Sequence, residues 1–249
     1  MEKLSGNIDS TALVSRAKGI LLNPTTEWAQ IATERDQPKD VFLRYALPLA
    51  LISPIASFIG GQVFGLGGFG ISISIGLMTG LTIAITSFVL SLVGLFIVAF
   101  AANFLSPKFG GRDDFPAAFR LVAYSWTAAW LAGIFGLLPA LSILGILGLY
   151  SLYLLYKGSG PVMGVPEDKA VGYTVVTIVA AIVAQIIIGV LVTAITGPML
   201  MANAGMGSGA IDIDMGEAGS MESNGDGTMT ITGPDGEEVT ITVDSNKSE

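Results

Sequence analysis

The stretch VGYTVVTIVAAIVAQIIIGVLVTAITG, residues 171–197, contains no charged residue, and its only strongly polar side chain is the amide of Gln185. A helix needs about 20 residues to cross a hydrocarbon core of roughly 30 Å, so this stretch is long enough to span a membrane. It lies in a charge-free run over residues 170–211, and similar runs occupy residues 45–107 and 121–156. The chain is therefore predicted to be an all-α polytopic membrane protein.

The composition excludes an ordinary water-soluble domain. Of the 249 residues, 51% are hydrophobic and 13% are charged, and the mean hydropathy is +0.69, whereas globular domains carry about 25% charged residues. The chain has no Cys and no His, which excludes disulfides, thiol catalysis, thiolate zinc sites and imidazole acid-base chemistry. We expect a protein that is not an enzyme and that uses no cofactor and no metal.

Five transmembrane helices are predicted within a membrane domain over residues 44–198. The first charge-free run is broken by the glycine-rich stretch FGLGGFG, residues 64–70. Pro139 indicates a turn in the second run, because proline removes a backbone donor and clashes with the preceding helical turn. A single kinked helix over residues 121–156 is the alternative. The predicted spans lie near residues 44–64, 75–103, 118–138, 140–156 and 171–197.

The basic residues predict the orientation of these spans. Five spans place the N-terminal segment and the second and fourth connections on one side of the membrane. Every Lys and Arg before residue 202 lies in these three segments or, for Arg44 and Arg120, just inside the span that follows them. Basic residues favour the cytoplasmic side. From residue 202 onward the tail has ten Asp and Glu and only Lys247. We expect a bacterial inner (plasma) membrane protein with a cytoplasmic N-terminus and an acidic extracytoplasmic tail, residues 199–249.

Residues 1–43 are predicted to form cytoplasmic amphipathic helices. The stretch NPTTEWAQIATE, residues 23–34, has Asn23 as a helix cap and Pro24 at the first helical position. Arg16 and Lys18 are expected opposite the apolar face, so the helices would lie along the membrane surface, and packing against the ends of the spans is the alternative. Trp28 is expected at the level of lipid headgroups or span ends. In the stretch STALVSRAKGILL, residues 10–22, the apolar face contains Leu13, Val14, Ala17, Ile20 and Leu21.

Few polar residues qualify as site candidates. Gln185 near the centre of the last span either contacts a solute or makes an interhelical hydrogen bond, and the second interpretation is favoured. Glu167 and Asp168 in PEDKA, residues 166–170, would suit a metal, but acidic residues after a proline are typical of a helix start.

The tail stretch GTMTITGPDGEEVTITVD, residues 227–244, predicts a hairpin near residues 228–243. A loop of Pro234, Asp235 and Gly236 suits a type I turn followed by a left-handed glycine. It pairs Thr232 with Glu238, Ile231 with Val239, Thr230 with Thr240, and Met229 with Ile241. We expect the apolar face to pack against neighbouring copies in a homo-oligomer, with packing on the chain's own spans as the alternative. That face contains Met229, Ile231, Val239, Ile241 and Val243.

Three stretches resemble the bacterial branch of the Yip family, the Ypt/Rab-interacting integral membrane proteins. They are NPTTEWAQIATE, AFRLVAYSWTAAWLAG (residues 118–133) and LYSLYLLYKGSGPVMGVPEDKAVGYTVV (residues 149–176). Where the family's third span often has a Tyr-Ser-x-x-Pro pattern, this chain has Ala128 in place of the proline. The resemblance implies a five-span fold, a cytoplasmic N-terminus and no known catalytic residues.

The function expected from these patterns is that of a non-enzymatic scaffold or membrane-organising protein. A small-solute transporter or channel is the alternative, supported by Gln185 and by the prolines in the spans. The expected partners are the lipid bilayer, further copies of the chain and an unidentified membrane or cytoplasmic protein, with no nucleic acid.

Overall fold

The computed structural model describes most of the chain, and the statements below concern those residues. They are residues 10–64, 66–68, 71–73, 76–203, 212–214, 219–223 and 228–242. The chain divides into two compact units. Unit 1 contains residues 1–53, 88–134 and 144–188, and unit 2 contains residues 54–87, 135–143 and 189–249.

Two N-terminal helices, α1 (Ser10–Leu22) and α2 (Pro24–Thr33), meet at Asn23. Asn23 occupies the N-cap of α2 without a capping bond from its side chain, and Pro24 begins the helix as predicted. Helix α1 buries Ala17 and Ile20 but leaves Val14 61% exposed. The predicted apolar face of α1 is therefore only partly buried.

The apolar part of the chain is helical, with local departures from α geometry. A π-helical segment over Phe42–Ala46 and 3-10 segments over Ser106–Phe109, Gly133–Leu137 and Pro139–Leu149 connect or extend the α-helices. The α-helices are α3 (Pro38–Val41), α4 (Leu47–Ala50), α5 (Ile52–Phe64), α6 (Leu77–Leu105), α7 (Phe115–Ser125), α8 (Thr127–Ala132), α9 (Tyr150–Met163) and α10 (Glu167–Asn203).

Four helical segments of the described chain are long and apolar enough to cross a membrane. They are Pro38–Phe64, Leu77–Phe109, Ala140–Met163 and Glu167–Met199. The predicted span near residues 118–138 is not a continuous α-helix, because α7 and α8 are separated at Trp126 and a 3-10 segment begins at Gly133. Glycine disfavours the α-helix, and a Cβ on Gly133 would overlap the side chain of Ser53. Glycine at this position therefore permits close approach to the first span.

Helix α7 is the central helix of unit 1. Every residue from Ala117 to Ser125 is buried. Its Phe119, Leu121 and Val122 are fully buried together with Leu154 of α9. Conversely, α6 and α10 expose many apolar side chains, such as Phe100 and Val190, and this pattern is typical of helices that face lipid.

Six short strands of unit 2 form an antiparallel sheet whose spatial order follows the chain. The predicted break at residues 64–70 contains part of a strand pair that the sequence did not predict, and helix α6 begins only at Leu77. Strands β2 and β3 pair Ser72 with Asp214, which joins the connection after α5 to the tail. The strands are β1 (Leu66–Gly68), β2 (Ile71–Ile73), β3 (Asp212–Asp214), β4 (Ser220–Ser223), β5 (Thr228–Thr232) and β6 (Glu238–Thr242).

The hairpin of β5 and β6 has the predicted register. The four predicted pairs, from Thr232 with Glu238 to Met229 with Ile241, are all present. Gly236 has a φ of 82° and its N–H donates to the carbonyl of Gly233, which closes the predicted turn. Val243, the last residue of the predicted apolar face, lies outside the described residues.

Candidate functional site

Helices α1 and α2 pack on α7 and α9, and we call residues 10–33 in this position the N-terminal platform. Trp28 of α2 is 0% exposed. A Cβ added to Gly158 of α9 would lie 2.8 Å from Trp28 Cε2 and 2.5 Å from Leu121 Cδ1. Only a glycine at this position leaves room for the indole, so α9 provides the niche into which α2 inserts its largest side chain.

A cluster of charged side chains holds α1 against α2 and α7, and we call it the Arg16 cluster. Arg16 Nη1 donates to Glu27 Oε1 at 2.6 Å, and its Nη2 donates to Glu34. The guanidinium carbon lies 5.5 Å from the ring centroid of Tyr124, within the range of a cation–π contact. One side chain of α1 thus contacts both ends of α2 and the central helix.

Burial and charge act in opposite directions on Arg16. Burial alone would lower the pKa of the guanidinium, but the charge and hydrogen bond of Glu34, together with the charge of Glu27, outweigh it and raise the pKa above its ordinary value. Arg16 therefore keeps its charge throughout the physiological pH range.

A second set of polar contacts ties α7 and α8 to the first span. Thr127 Oγ1 donates to the carbonyl of Tyr124 at 2.7 Å. Because this uses its only hydrogen, the 2.7 Å contact with Tyr45 must have the Tyr45 hydroxyl as donor. The rings of Tyr45 and Tyr124 meet edge to face with centroids 4.6 Å apart. The ring beneath Arg16 is therefore held in one position.

Two further arginines of unit 1 hold connecting segments in place through hydrogen bonds to backbone carbonyls. Arg120 is 4% exposed and donates from Nη1 to the carbonyl of Asp36 at 2.9 Å, which fixes the segment after α2. The backbone N–H of Arg112 donates to the carbonyl of Met163 at 2.9 Å, and its Nε donates to Val162. The connection before α7 therefore lies directly beside the connection after α9.

The predicted position of Arg16 on a polar face is wrong, and Gln185 lies in unit 1 but outside the platform. Lys18 is exposed as expected, but Arg16 is not on a solvated polar face, because Glu27, Glu34 and Tyr124 surround it. Gln185 is exposed on α10, and its Oε1 would be 4.0 Å from a Cβ on Gly94 of α6.

The candidates of the tail hairpin lie in unit 2, where Met229 and Ile231 are half-buried and Val239 and Ile241 are 55% and 46% exposed. Glu167 and Asp168 occupy the first turn of α10, as a helix start requires. Among the described residues, no group of three His, Cys, Asp or Glu is placed to hold a metal ion.

Sequence reasoning missed the Arg16 cluster, although one signal was present. Glu27 and Glu34 are seven residues apart, a spacing that places two residues on one helical face. Their shared cation lies on the preceding helix, and the platform's contact with Tyr124 depends on the tertiary packing. Gly158 gave no signal beyond its position in a glycine-containing stretch.

A model of a protein family, described as the Yip1 domain, matches residues 18–189. The matched region includes Trp28, Glu34, Tyr124 and Gly158, whereas Arg16 lies two residues before it. A search of curated proteins and a search of solved structures each find no match.

Proposed function

We propose a function for this chain, which belongs to the Yip1 family. It is a non-enzymatic scaffold of the bacterial inner membrane, and it holds partner proteins on its N-terminal platform. Its apolar helices of spanning length fit a membrane protein. The observation that carries the proposal is the docking of the platform by Trp28 and Arg16, because a scaffold needs a surface with a fixed shape. Val14, Lys18 and Leu22 are exposed on α1 at intervals of four residues, and they form one stripe open to a partner.

We further propose five spans, with the interrupted segment from Phe115 to Leu137 as the third. The hydrogen bond from Arg112 N to Met163 O supports this count, because it requires both connections to be on one side of the membrane. The chain must then cross an even number of times between residues 112 and 163. If Ala140–Met163 crosses once, the preceding segment supplies the second crossing.

The sheet supports the same count in an independent way. The pairing of β2 with β3 supports a topology in which the connection after α5 and the tail lie on the same side of the membrane. Between β2 and β3, helices α6 and α10 each cross the membrane once. The chain between α6 and α10 must therefore again cross an even number of times. Because every Lys and Arg except Lys247 lies in or next to the N-terminal segment and the other two connections, we assign this side as extracytoplasmic.

A cysteine scan of the full-length protein in native membranes tests the topology, since the natural chain has no Cys. Leu138→Cys, at an exposed position between the two 3-10 segments, should react with a membrane-impermeant maleimide added outside. Gln37→Cys should react only after the membrane is opened, and Thr242→Cys should react in both conditions. If Leu138→Cys behaves like Gln37→Cys, the third span does not exist.

Affinity capture tests the scaffold role. Val14→Glu with Leu22→Glu should remove the partners that wild-type protein retains in mild detergent. Gln30→Glu, at an exposed position on α2, is the matched control and should retain them. The transporter alternative predicts solute flux into liposomes that is lost in Gln185→Leu, and such flux would contradict the proposal.

We also propose that the protein is a homo-oligomer assembled through its extracytoplasmic tail. The support is the apolar hairpin face, of which Val239 and Ile241 remain exposed in a single copy. An exposed apolar surface of this kind is typical of an interaction site.

A further inference from the structure

Among the described residues, strand β6 forms one edge of the sheet, and its own sequence carries little of the protection that edges normally have. It is last in the strand order, and all five of its residues are exposed. Natural sheets protect an edge with lysine, proline, a bulge or a covering element, because the unpaired backbone groups would otherwise pair with another chain. The sequence of β6, EVTIT, has a single charge at Glu238 and no proline. Its remaining residues, Val, Thr and Ile, favour strands.

The hairpin register shows which backbone groups of β6 face away from β5. The N–H of Gly233 donates to the carbonyl of Glu237 at 2.8 Å, so the hydrogen-bonded pairs of an antiparallel ladder recur every second residue from that point. Val239 and Ile241 therefore direct their N–H and C=O groups to β5. Glu238, Thr240 and Thr242 direct theirs to the open edge.

We propose that the β6 edges of two copies pair antiparallel about a two-fold axis at Thr240, and this proposal rests on the homo-oligomer proposed above. The pairing sets Glu238 opposite the partner's Thr242, Val239 opposite the partner's Ile241, and Thr240 opposite the partner's Thr240. All five residues are paired, and the three outward-facing positions supply about six backbone hydrogen bonds between the copies. The two six-stranded sheets become one continuous sheet.

Self-complementarity identifies the occupant of the edge as a second copy of this chain. A two-fold interface uses the same surface on both copies. Charge, apolar contact and the local concentration of the tails all favour this pairing. No carboxylate faces a carboxylate, because Glu238 is opposite Thr242. Val239 and Ile241, exposed in one copy, become cross-strand neighbours. Anchoring in one bilayer confines the tails to one layer, which raises their effective concentration.

Thr240→Pro tests the edge in full-length protein in mild detergent. Proline is tolerated on an edge strand where its missing N–H faces outward, so the bonds to β5 remain while the bonds at the two-fold axis are lost. The variant should be monomeric by light scattering, and Thr240→Val, which keeps the N–H and the branched side chain, should be dimeric like wild type. A dimeric Thr240→Pro variant would overturn the edge pairing.

Cross-linking in native membranes tests the register without destabilising the protein. Opposite residues of a hydrogen-bonded pair have Cα atoms about 5.5 Å apart, so Thr240→Cys should give a covalent dimer with a short thiol-specific reagent. Thr230→Cys, the cross-strand neighbour of Thr240 on the inner strand β5, is the matched control and should remain monomeric. Equal cross-linking at both positions, or at neither, would overturn the proposal.

The outcomes also separate this proposal from the one on which it rests. If Thr240→Pro stays dimeric while Ile231→Asp is monomeric, the copies assemble through the apolar face, and only the edge pairing is wrong. If wild-type protein is itself monomeric and Thr240→Cys does not cross-link, both proposals are wrong.

Discussion

Gly158→Ala should weaken the docking of the N-terminal platform on helix α9. The added methyl group would lie 2.8 Å from Trp28 Cε2, well inside van der Waals contact. Leu121 and the indole of Trp28 are both fully buried, so neither side chain can move aside into solvent. Overpacking of this kind costs about 1–3 kcal/mol.

This cost acts on docking and not on helix α9 itself. Alanine is the better helix former, but α9 is helical in both the docked and undocked states, so that gain cancels. A penalty of about 1–3 kcal/mol corresponds to a roughly 5- to 150-fold larger undocked population. Lys18 is exposed on α1, and its cleavage by trypsin requires α1 to open. The initial rate of cleavage should therefore rise by the same factor.

Gly160→Ala is the matched control, because it makes the same change in the same helix. The nearest atom to its added Cβ would be the carbonyl oxygen of Val165 at 3.6 Å, an ordinary contact. Gly160→Ala should be cleaved at the wild-type rate. If Gly158→Ala is cleaved no faster than Gly160→Ala, the close packing of Trp28 on Gly158 is refuted.

Three other predictions address the topology, the platform and the tail. A reporter that is active only outside the cytoplasm should work when fused after residue 205 and fail when fused after residue 165, and the reverse result would invert the orientation. In a variant with Trp126→Phe and Trp130→Phe, the fluorescence of Trp28 should be blue-shifted and poorly quenched by iodide, since the indole is 0% exposed; a spectrum like that of free tryptophan would contradict the docking. Ile231→Asp should break solubilised oligomers into monomers without affecting membrane insertion, because it places a charge on the apolar hairpin face, and an unchanged oligomer mass would exclude assembly through the tail.

The features predicted correctly are those determined by neighbouring residues. The register of the β5–β6 hairpin follows from the turn chemistry of Pro234, Asp235 and Gly236 and from matching apolar residues across one short loop. The start of α2 at Pro24 follows from the fixed φ of proline. The apolar helices follow from long charge-free runs, whose composition leaves few alternatives.

The features that were missed depend on residues distant in the chain. Residues 64–70 were interpreted as a break because the stretch is glycine-rich. The strand character of residues 66–68 and 71–73 depends on their pairing with each other and on the pairing of 72 and 73 with residues 213 and 214. The interruptions of the predicted third span follow partly from Gly133, whose close approach to Ser53 has no local signal. Arg16 was assigned to a polar face because amphipathic patterns do not reveal a buried ion pair with the next helix.

The pairing of β2 with β3 has a consequence for how the protein is made. Strand β3 is synthesised roughly 140 residues after β2, and at about 5–20 residues per second the delay is on the order of ten seconds. During that interval β2 has no partner on that side, while the ribosome is still producing the later spans. In the proposed topology, the sheet is completed only after α10 has been inserted and the tail has been translocated. Its closure is therefore a late step of biogenesis, and protection of β2 from hydrogen exchange would report that insertion has finished.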